Sequence, residues 1–270
     1  MSEYNRNATT APFSRADDRA TVAIDEGLRA YMLHVYNYMV LGLAITGLAA
    51  LGIYMASVTA DPAVAVKILR YGVEVPAGVA GNMYLTPIGY MMFVSPVKWI
   101  VILAPLAMVF GLSFGVQRVR PSTAQFLFWI FAALVGLSLG SIFMVYTHTS
   151  IVRVFFITAA SFGALSLWGY TTQRDLSGIG SFLLMGLFGV ILASLVNMFM
   201  ASSALQFVIS VVGVLVFAGL TAWDTQRLKS EYLYGGMDVE RSAIMGALSL
   251  YLNFLNIFTL LLQLFGQRDE

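Results

Sequence analysis

Among the ionisable side chains of this 270-residue sequence, Asp224 has the position most suited to chemistry. Nearly all of the 14 acidic residues fall in polar segments, whereas Asp224 directly follows the apolar run Leu205–Trp223. A carboxylate at the C-terminal end of a membrane helix opposes the helix dipole and borders a low-dielectric region, and both effects disfavour its charged form. Arg227, three residues further on, can offset both effects along the same helix. The spacing leaves two interpretations open, a structural ion pair and a functional carboxylate.

The last apolar run of the sequence carries a second set of polar side chains, Ser249, Asn253 and Asn256. Their spacing of four and then three residues puts them on one face of a helix. Such a face avoids lipid, so it turns either towards a neighbouring helix, with which it forms hydrogen bonds, or towards a watery cavity. The spacing is compatible with both settings.

Two segments match the G-x-S-x-G pattern of serine hydrolases, Gly111–Gly115 and Gly136–Gly140. A nucleophile needs this pattern at a sharp turn between a strand and a helix, but both matches lie inside apolar helical runs. Glycines four residues apart on a membrane helix usually let two backbones approach closely. His34 and His148 have no acidic residue three or four positions away, and no His/Asp/Glu set has metal-ligand spacing. The sequence therefore predicts no enzyme, no metal site and no cofactor.

The composition identifies the solvent in which these residues lie. Hydrophobic residues make up 59% of the chain and charged residues 11%, whereas soluble domains are about one quarter charged. So few charges cannot cover a surface that faces water, so lipid must surround most of the chain. The formal net charge of +1 gives no reason to expect a nucleic-acid partner, and the absence of cysteine excludes disulfides and thiolate sites.

Apolar runs of about 20 residues predict an all-α integral membrane protein with seven transmembrane helices. The predicted spans are Leu28–Ser57, Trp99–Gln117, Thr123–Tyr146, Ile151–Thr171, Ser181–Ala201, Leu205–Trp223 and Ala243–Leu264. We expect residues 1–27 to form a flexible cytosolic tail and residues 28–266 to form the seven-helix domain. Two connections are long, 58–98 on the outer side and 224–242. The apolar and aromatic part of the first, Met83–Val94, is expected at the membrane interface, with a re-entrant segment as the alternative.

The lysines and arginines predict the orientation of the chain. With the N-terminus inside the cell, ten of these residues fall on the cytosolic side and five on the outer side. This distribution predicts a multi-pass protein of the cell membrane with a cytoplasmic N-terminus and a C-terminus outside. The short connections favour a bacterial inner membrane.

Several stretches of the sequence resemble the Bax inhibitor-1 family of small membrane proteins. They are Gly136–Tyr146, Phe155–Ser181, and Trp223–Gln226 followed by Gly246–Phe258. The resemblance extends from about Arg29 to Phe265 and implies a fold with six helices packed around a central one. It also implies a pH-sensitive calcium leak channel, a suppressor of cell death or, in bacteria, a modulator of a membrane-bound protease.

The switch proposed for this family consists of two aspartates on the last two helices that share a proton, with a nearby arginine as a latch. Residue by residue, the first aspartate matches Asp224, the latch falls on Arg118 or Arg120, and the second aspartate falls on Asn253. Because an asparagine cannot titrate, this departure implies a shifted or absent pH response. A lone carboxylate is also a weaker calcium ligand than a pair.

The functional hypothesis is a calcium or cation leak channel, or an ion-sensing membrane protein, with an altered pH switch. The residues assigned to it are Asp224 and Asn253 as the ion and pH sensor, Arg118 and Arg120 as latch candidates, and Ser249, Asn256 and Arg227 as a secondary polar face. Calcium enters as a transported ion, and the lipid bilayer is the surrounding partner. The alternative is a non-conducting regulator that binds a membrane protease or another membrane protein through its small-residue faces and its N-terminal tail.

Overall fold

A computed structural model describes residues 13–70, 73–79, 83–115, 119–234 and 238–269, with side chains from Glu26 onward except at 70, 73, 113 and 114. The helices in these ranges are α1 (Phe13–Ser57), α2 (Pro87–Phe93), α3 (Val97–Gly115), α4 (Pro121–Leu139), α5 (Ile142–Val145), α6 (His148–Thr171), α7 (Ser177–Met200), α8 (Ser203–Tyr234) and α9 (Val239–Phe265). The strands are β1 (Val58–Thr59), β2 (Lys67–Arg70), β3 (Val73–Pro76), β4 (Gly78–Val79) and β5 (Met83–Leu85). Helices follow the apolar runs because a backbone in lipid must satisfy its own hydrogen bonds.

Among the described residues, six helical segments are long and apolar enough to cross a membrane. They are α1, α4 with α5, α6, α7, α8 and α9. The pair α2 and α3, bent by 58° at a short break, supplies a seventh span if it is counted as one. The prediction of an all-α membrane protein is confirmed, and the second predicted span, Trp99–Gln117, corresponds to the long arm of the bent pair.

Helix α1 begins before the apolar run that predicted it. The helical backbone starts at Phe13 and so includes part of the segment 1–27, which the sequence predicted as a flexible tail, while residues 1–12 lie outside the described ranges. Hydropathy marks where lipid contact begins, and a helix can continue into water beyond that point.

Helix α8 continues past its apolar run to Tyr234, and α9 begins at Val239. Most of the predicted connection 224–242 is therefore helical, because both helices extend beyond their apolar runs. Arg227 and Glu231, four residues apart, form an ion pair of 3.5 Å on this extension. Charged pairs at this spacing support a helix in water, where an apolar run is not needed.

The connection 58–98 contains two small antiparallel sheets that the sequence did not predict. One has the strand order β1-β5-β4, and the other pairs β2 with β3. Residues at the start of α2 close this unit onto the end of α1: the Thr86 N–H donates to the Ser57 carbonyl at 3.0 Å. A Cβ at Gly89 would clash with that same carbonyl oxygen, so glycine is required there. The backbone groups of the five strands lie beyond the end of α1 and form their hydrogen bonds by strand pairing.

Helix α9 is the central helix of the bundle. In α9, 67% of an apolar 18-residue stretch is buried inside the protein, compared with 11% of such a stretch in α7. It contacts α1, α4, α6 and α8, whereas α7 packs mainly on α8 and α3 mainly on α4. The polar face predicted on the last helix therefore points into the protein rather than into lipid.

The second G-x-S-x-G match forms a helix contact. A Cβ at Gly136 would lie 2.5 Å from the Thr46 carbonyl oxygen, and one at Gly140 would clash with the Ile53 side chain. The two glycines let α4 approach α1 at backbone distance, which supports the packing interpretation. Both matches lie on helices or a helix cap, without the strand and sharp turn of a nucleophile elbow.

Candidate functional site

Asp224 lies within α8 and faces α9. Its residue is 4% exposed, and the helix continues beyond it to Tyr234. The sequence placed this carboxylate at a helix C-terminus, and that placement was wrong. The field of a helix terminus fades within the last turn, so the helix dipole does not act strongly on Asp224.

Two side chains of α9 bind one oxygen of this carboxylate. The Ser249 hydroxyl and the Asn253 amide each donate to Asp224 Oδ2 at 2.7 Å. The two donors are four residues apart, so they present adjacent turns of α9 to the same atom. A hydrogen bond to a charged group contributes about 1.5–3 kcal/mol, and this pair ties α8 to α9 at the level of the carboxylate. The contact between Asp224 and Asn253 expected from the sequence is present.

The second oxygen of Asp224 has a different environment. Arg227 Nη2 lies 2.9 Å from Oδ1, which is ion-pair distance, but its angle is not that of a hydrogen bond. Within the described ranges Oδ1 accepts no hydrogen bond. The Arg227 side chain is 38% exposed, and it also lies over the Trp223 ring, 5.0 Å from the centroid, and near Glu231. Arg227 attracts this oxygen but also interacts with Trp223 and Glu231, and solvent screens the attraction.

Two other predicted site residues, Asn256 and Arg120, do not join the cluster. The Asn256 amide donates to the Leu252 carbonyl of its own helix at 2.8 Å. Arg120 is exposed at the N-cap of α4, and Arg118 lies outside the described residues. Among the described cations, Arg227 forms the ion pair with Asp224. From the sequence, Arg227 was expected on the secondary polar face and not as the latch.

The cluster does not have the composition of a resident metal site. Within the described ranges, no three His, Cys, Asp or Glu side chains could hold a metal ion together. Calcium takes six to eight oxygen ligands, often several of them carboxylates. One carboxylate with an amide and a hydroxyl can contact a passing cation, but these three groups supply too few oxygen ligands to bind calcium tightly.

Sequence reasoning missed a second polar cluster, at the opposite end of α8 and α9. The Asn197 amide donates to Gln206 Oε1 at 2.9 Å, and the Gln206 amide donates to Gln263 Oε1 at 2.6 Å. Ser210 donates to the same Gln263 oxygen at 3.2 Å. These bonds join α7, α8 and α9. The signal was available, because Gln206 and Ser210 are four residues apart at the start of an apolar run.

Comparison with known proteins agrees with this architecture. Residues 28–270 match the family described as "Inhibitor of apoptosis-promoting Bax1". The chain is 42% identical to the Rickettsia prowazekii protein RP147 over 272 residues, which cover 100% of both chains. It is 40% identical to the inner membrane protein YbhL of Escherichia coli K12 over 260 residues, which cover 95% of this chain and 98% of YbhL. The chain belongs to the Bax inhibitor-1 family of multi-pass membrane proteins.

Proposed function

We propose that this protein is a calcium or cation leak channel of an inner membrane, closed by the contact between Asp224 on α8 and Asn253 on α9. The observation that carries the proposal is a carboxylate at 4% exposure between two membrane helices. An ionisable side chain inside a membrane bundle is costly and usually marks an ion pathway or a proton relay. The name of the relative YbhL supports the inner membrane, and the lysine and arginine distribution supports a cytoplasmic N-terminus and a C-terminus outside.

The closed state in this proposal depends on the two oxygens of Asp224. Oδ2 is occupied by Ser249 and Asn253, which draw α9 onto α8. Oδ1 faces Arg227, so a cation that reaches the site must compete with this arginine. Opening separates the helices and breaks both hydrogen bonds, which sets a cost of roughly 3–6 kcal/mol if the two contributions add.

The proposed pH response follows from the chemistry of Asn253. Two carboxylates in contact bind one proton as a pair, and their contact changes when that proton leaves. An amide donates its hydrogen bond to the ionised Asp224 without any added proton. We therefore expect a leak with little pH dependence near neutrality, as if one member of the pair were permanently neutral.

The test is calcium entry into proteoliposomes that contain a calcium-sensitive dye, at pH values from about 6 to 8, the range that a carboxylate pair can reach. We expect the wild type to leak with little pH dependence, Asn253→Asp to gain pH dependence, and Asp224→Asn to change the rate. Asn256→Asp is the matched control, because it adds a carboxylate to the same helix at a side chain that bonds its own backbone. A leak absent from every variant at every pH would exclude the channel proposal.

A second candidate function is a non-conducting regulator that binds a membrane protease or another membrane protein. The observation in its favour is a set of exposed apolar side chains at the end of α8 and the start of α9: Leu233 is 43% exposed, Tyr234 86% and Val239 54%. They follow the charged stretch of α8, where water is the expected solvent, and exposed apolar groups there favour a protein partner.

Purification in a mild detergent tests this second candidate. We expect Leu233→Ser with Tyr234→Ser, or removal of residues 1–27, to lose a membrane protein that the wild type retains. Recovery of the same proteins with all three forms would count against the regulator.

A further inference from the structure

Concavities in a row between α1 and α6 form one groove on the lipid-facing side of the bundle. The first, of about 450 Å³, is lined by Arg29 and Tyr170 at one end. The second, of about 720 Å³, shares Met39 and Phe162 with the first. The third, of about 270 Å³, shares Phe155 with the second. Because neighbouring concavities share walls, an elongated ligand can extend from one into the next.

The groove has an apolar floor. Phe254 of the central helix α9 is 3% exposed and lies beneath it. The Phe155 and Phe162 rings of α6 each pack edge-on against Phe254, with centroids 5.6 Å apart. Along α1 the lining extends from Arg29 to Leu51, or about 33 Å at 1.5 Å per residue. That length exceeds the roughly 15 Å of hydrocarbon in one leaflet, so a lipid chain fits lengthwise.

The walls of the groove retain space that helix packing does not use. A Cβ at Gly47 on α1 or at Gly163 on α6 would meet no heavy atom within 4 Å. Gly169, on the same helix α6, lies against the backbone of Ala222, where a Cβ would clash. Side chains that line such a groove lack dispersion contacts on the side facing it, so a hydrocarbon chain in the groove is stabilised by supplying those contacts.

Two cations flank one end of this groove. Arg29 is exposed and lines the end with Tyr170. Lys229 on α8 donates to the Tyr170 carbonyl at 3.1 Å and lies 5.2 Å from the centre of its ring. Within the described ranges neither cation forms an ion pair. Basic pockets between membrane helices bind the headgroups of anionic lipids.

We propose that this groove binds an anionic phospholipid, with its phosphate between Arg29 and Lys229 and one acyl chain between α1 and α6. The chain lies over Phe254, the residue next to Asn253 on α9. The groove thus gives lipid direct contact with the helix that carries the candidate site, although the lipid site itself does not depend on ion conduction.

Native mass spectrometry of the full chain in detergent tests the proposal with two lipids that have identical chains. Dioleoylphosphatidylglycerol is the anionic probe and dioleoylphosphatidylcholine the zwitterionic one. We expect Arg29→Ala and Lys229→Ala each to weaken phosphatidylglycerol binding about five-fold, with little change for phosphatidylcholine. Gly163→Leu, which fills the concavity at the Arg29 end of the groove, should weaken both lipids. Gly189→Leu on α7 is the control, because a Cβ there also meets nothing within 4 Å but lies outside the groove.

Wild-type affinity for phosphatidylglycerol in the Arg29→Ala, Lys229→Ala double variant would overturn the headgroup assignment. Wild-type affinity in Gly163→Leu would overturn the acyl-chain assignment. If Gly163→Leu melts below Gly189→Leu, the wild type is photo-crosslinked instead to phosphatidylglycerol carrying a diazirine in its acyl chain. Crosslinks on the groove residues of α1 and α6 would then support the proposal, and crosslinks confined to other helices would overturn it.

Discussion

Replacing Asn253 by aspartate puts a second carboxylate where the wild-type chain has an amide. The Asn253 nitrogen lies 2.7 Å from Asp224 Oδ2, so the introduced oxygen would face a carboxylate oxygen at contact distance. Two unit charges centred about 4 Å apart repel by roughly 4 kcal/mol at an effective dielectric constant of about 20. Keeping one proton between the carboxylates avoids this repulsion, so the folded variant should bind a proton at neutral pH.

This bound proton gives the variant a pH-dependent stability. In the unfolded variant both aspartates lose their protons near the ordinary pKa of about 3.9, whereas the folded pair keeps one. The folded state then binds more protons, so stability is greatest at low pH and falls as pH rises, by up to about 1.4 kcal/mol per pH unit. The full loss relative to wild type is roughly 4 kcal/mol, the whole repulsion. Roughly 1.5 kcal/mol of it falls between the ordinary aspartate pKa of about 3.9 and pH 5, so roughly 2.5 kcal/mol is lost between pH 5 and pH 8.

The assay is thermal unfolding in one detergent at one scan rate, from pH 5 to pH 8, because membrane proteins often unfold irreversibly and scan rate then affects the midpoint. The control is the exchange variant, Asp224→Asn with Asn253→Asp, which keeps one carboxylate and one amide. We expect Asn253→Asp alone to lose stability with rising pH relative to wild type and to the exchange variant. Parallel pH profiles for all three would refute the argument that these two positions share a low-dielectric contact.

Two further predictions concern helix packing and a connection. Gly169→Ala should destabilise the protein by about 1–3 kcal/mol, because its Cβ clashes with the Ala222 carbonyl. Gly163→Ala on the same helix is the control and should be nearly neutral, because a Cβ there meets no heavy atom within 4 Å. Melting temperatures in detergent compare the two variants, and equal effects would contradict the contact between Gly169 and Ala222. In the connection before α7, hydrogen bonds from the Ser177 side chain and backbone lower the pKa of Asp175 below its ordinary value of 3.8. The ionised Asp175 therefore stabilises the folded protein at pH values above 3.8, and this stabilisation is lost as the pH falls through the lowered pKa. Ser177→Ala should raise the Asp175 pKa towards 3.8 in a carboxyl NMR titration, and an unchanged titration would show that the side chain is not responsible.

The positions of the membrane helices could be predicted because lipid imposes a local requirement. A span needs about 20 apolar residues in a row, and this pattern is readable without knowing any neighbour. The ends of helices outside lipid carry no such requirement. The extension of α8 to Tyr234 and the strands between α1 and α2 were missed for this reason.

The candidate site was predictable in its members but not in its contacts. The family resemblance paired Asp224 with Asn253, and spacing alone put Ser249, Asn253 and Asn256 on one face. Which of these amides reaches the carboxylate depends on the rotation of α9 against α8 and on side-chain rotamers. In the fold Asn253 donates to Asp224, whereas Asn256 donates to its own helix.

The sequence by itself determined that this chain is a multi-pass helical membrane protein, because composition and apolar run length depend on each segment alone. Only the tertiary structure decided that α9 is central and that Ser249 shares an oxygen of Asp224 with Asn253. It also decided that Gly47 borders open space while Gly169 meets a backbone. These properties depend on distances between residues far apart in the chain, and helix packing fixes those distances through shape, which hydropathy does not encode.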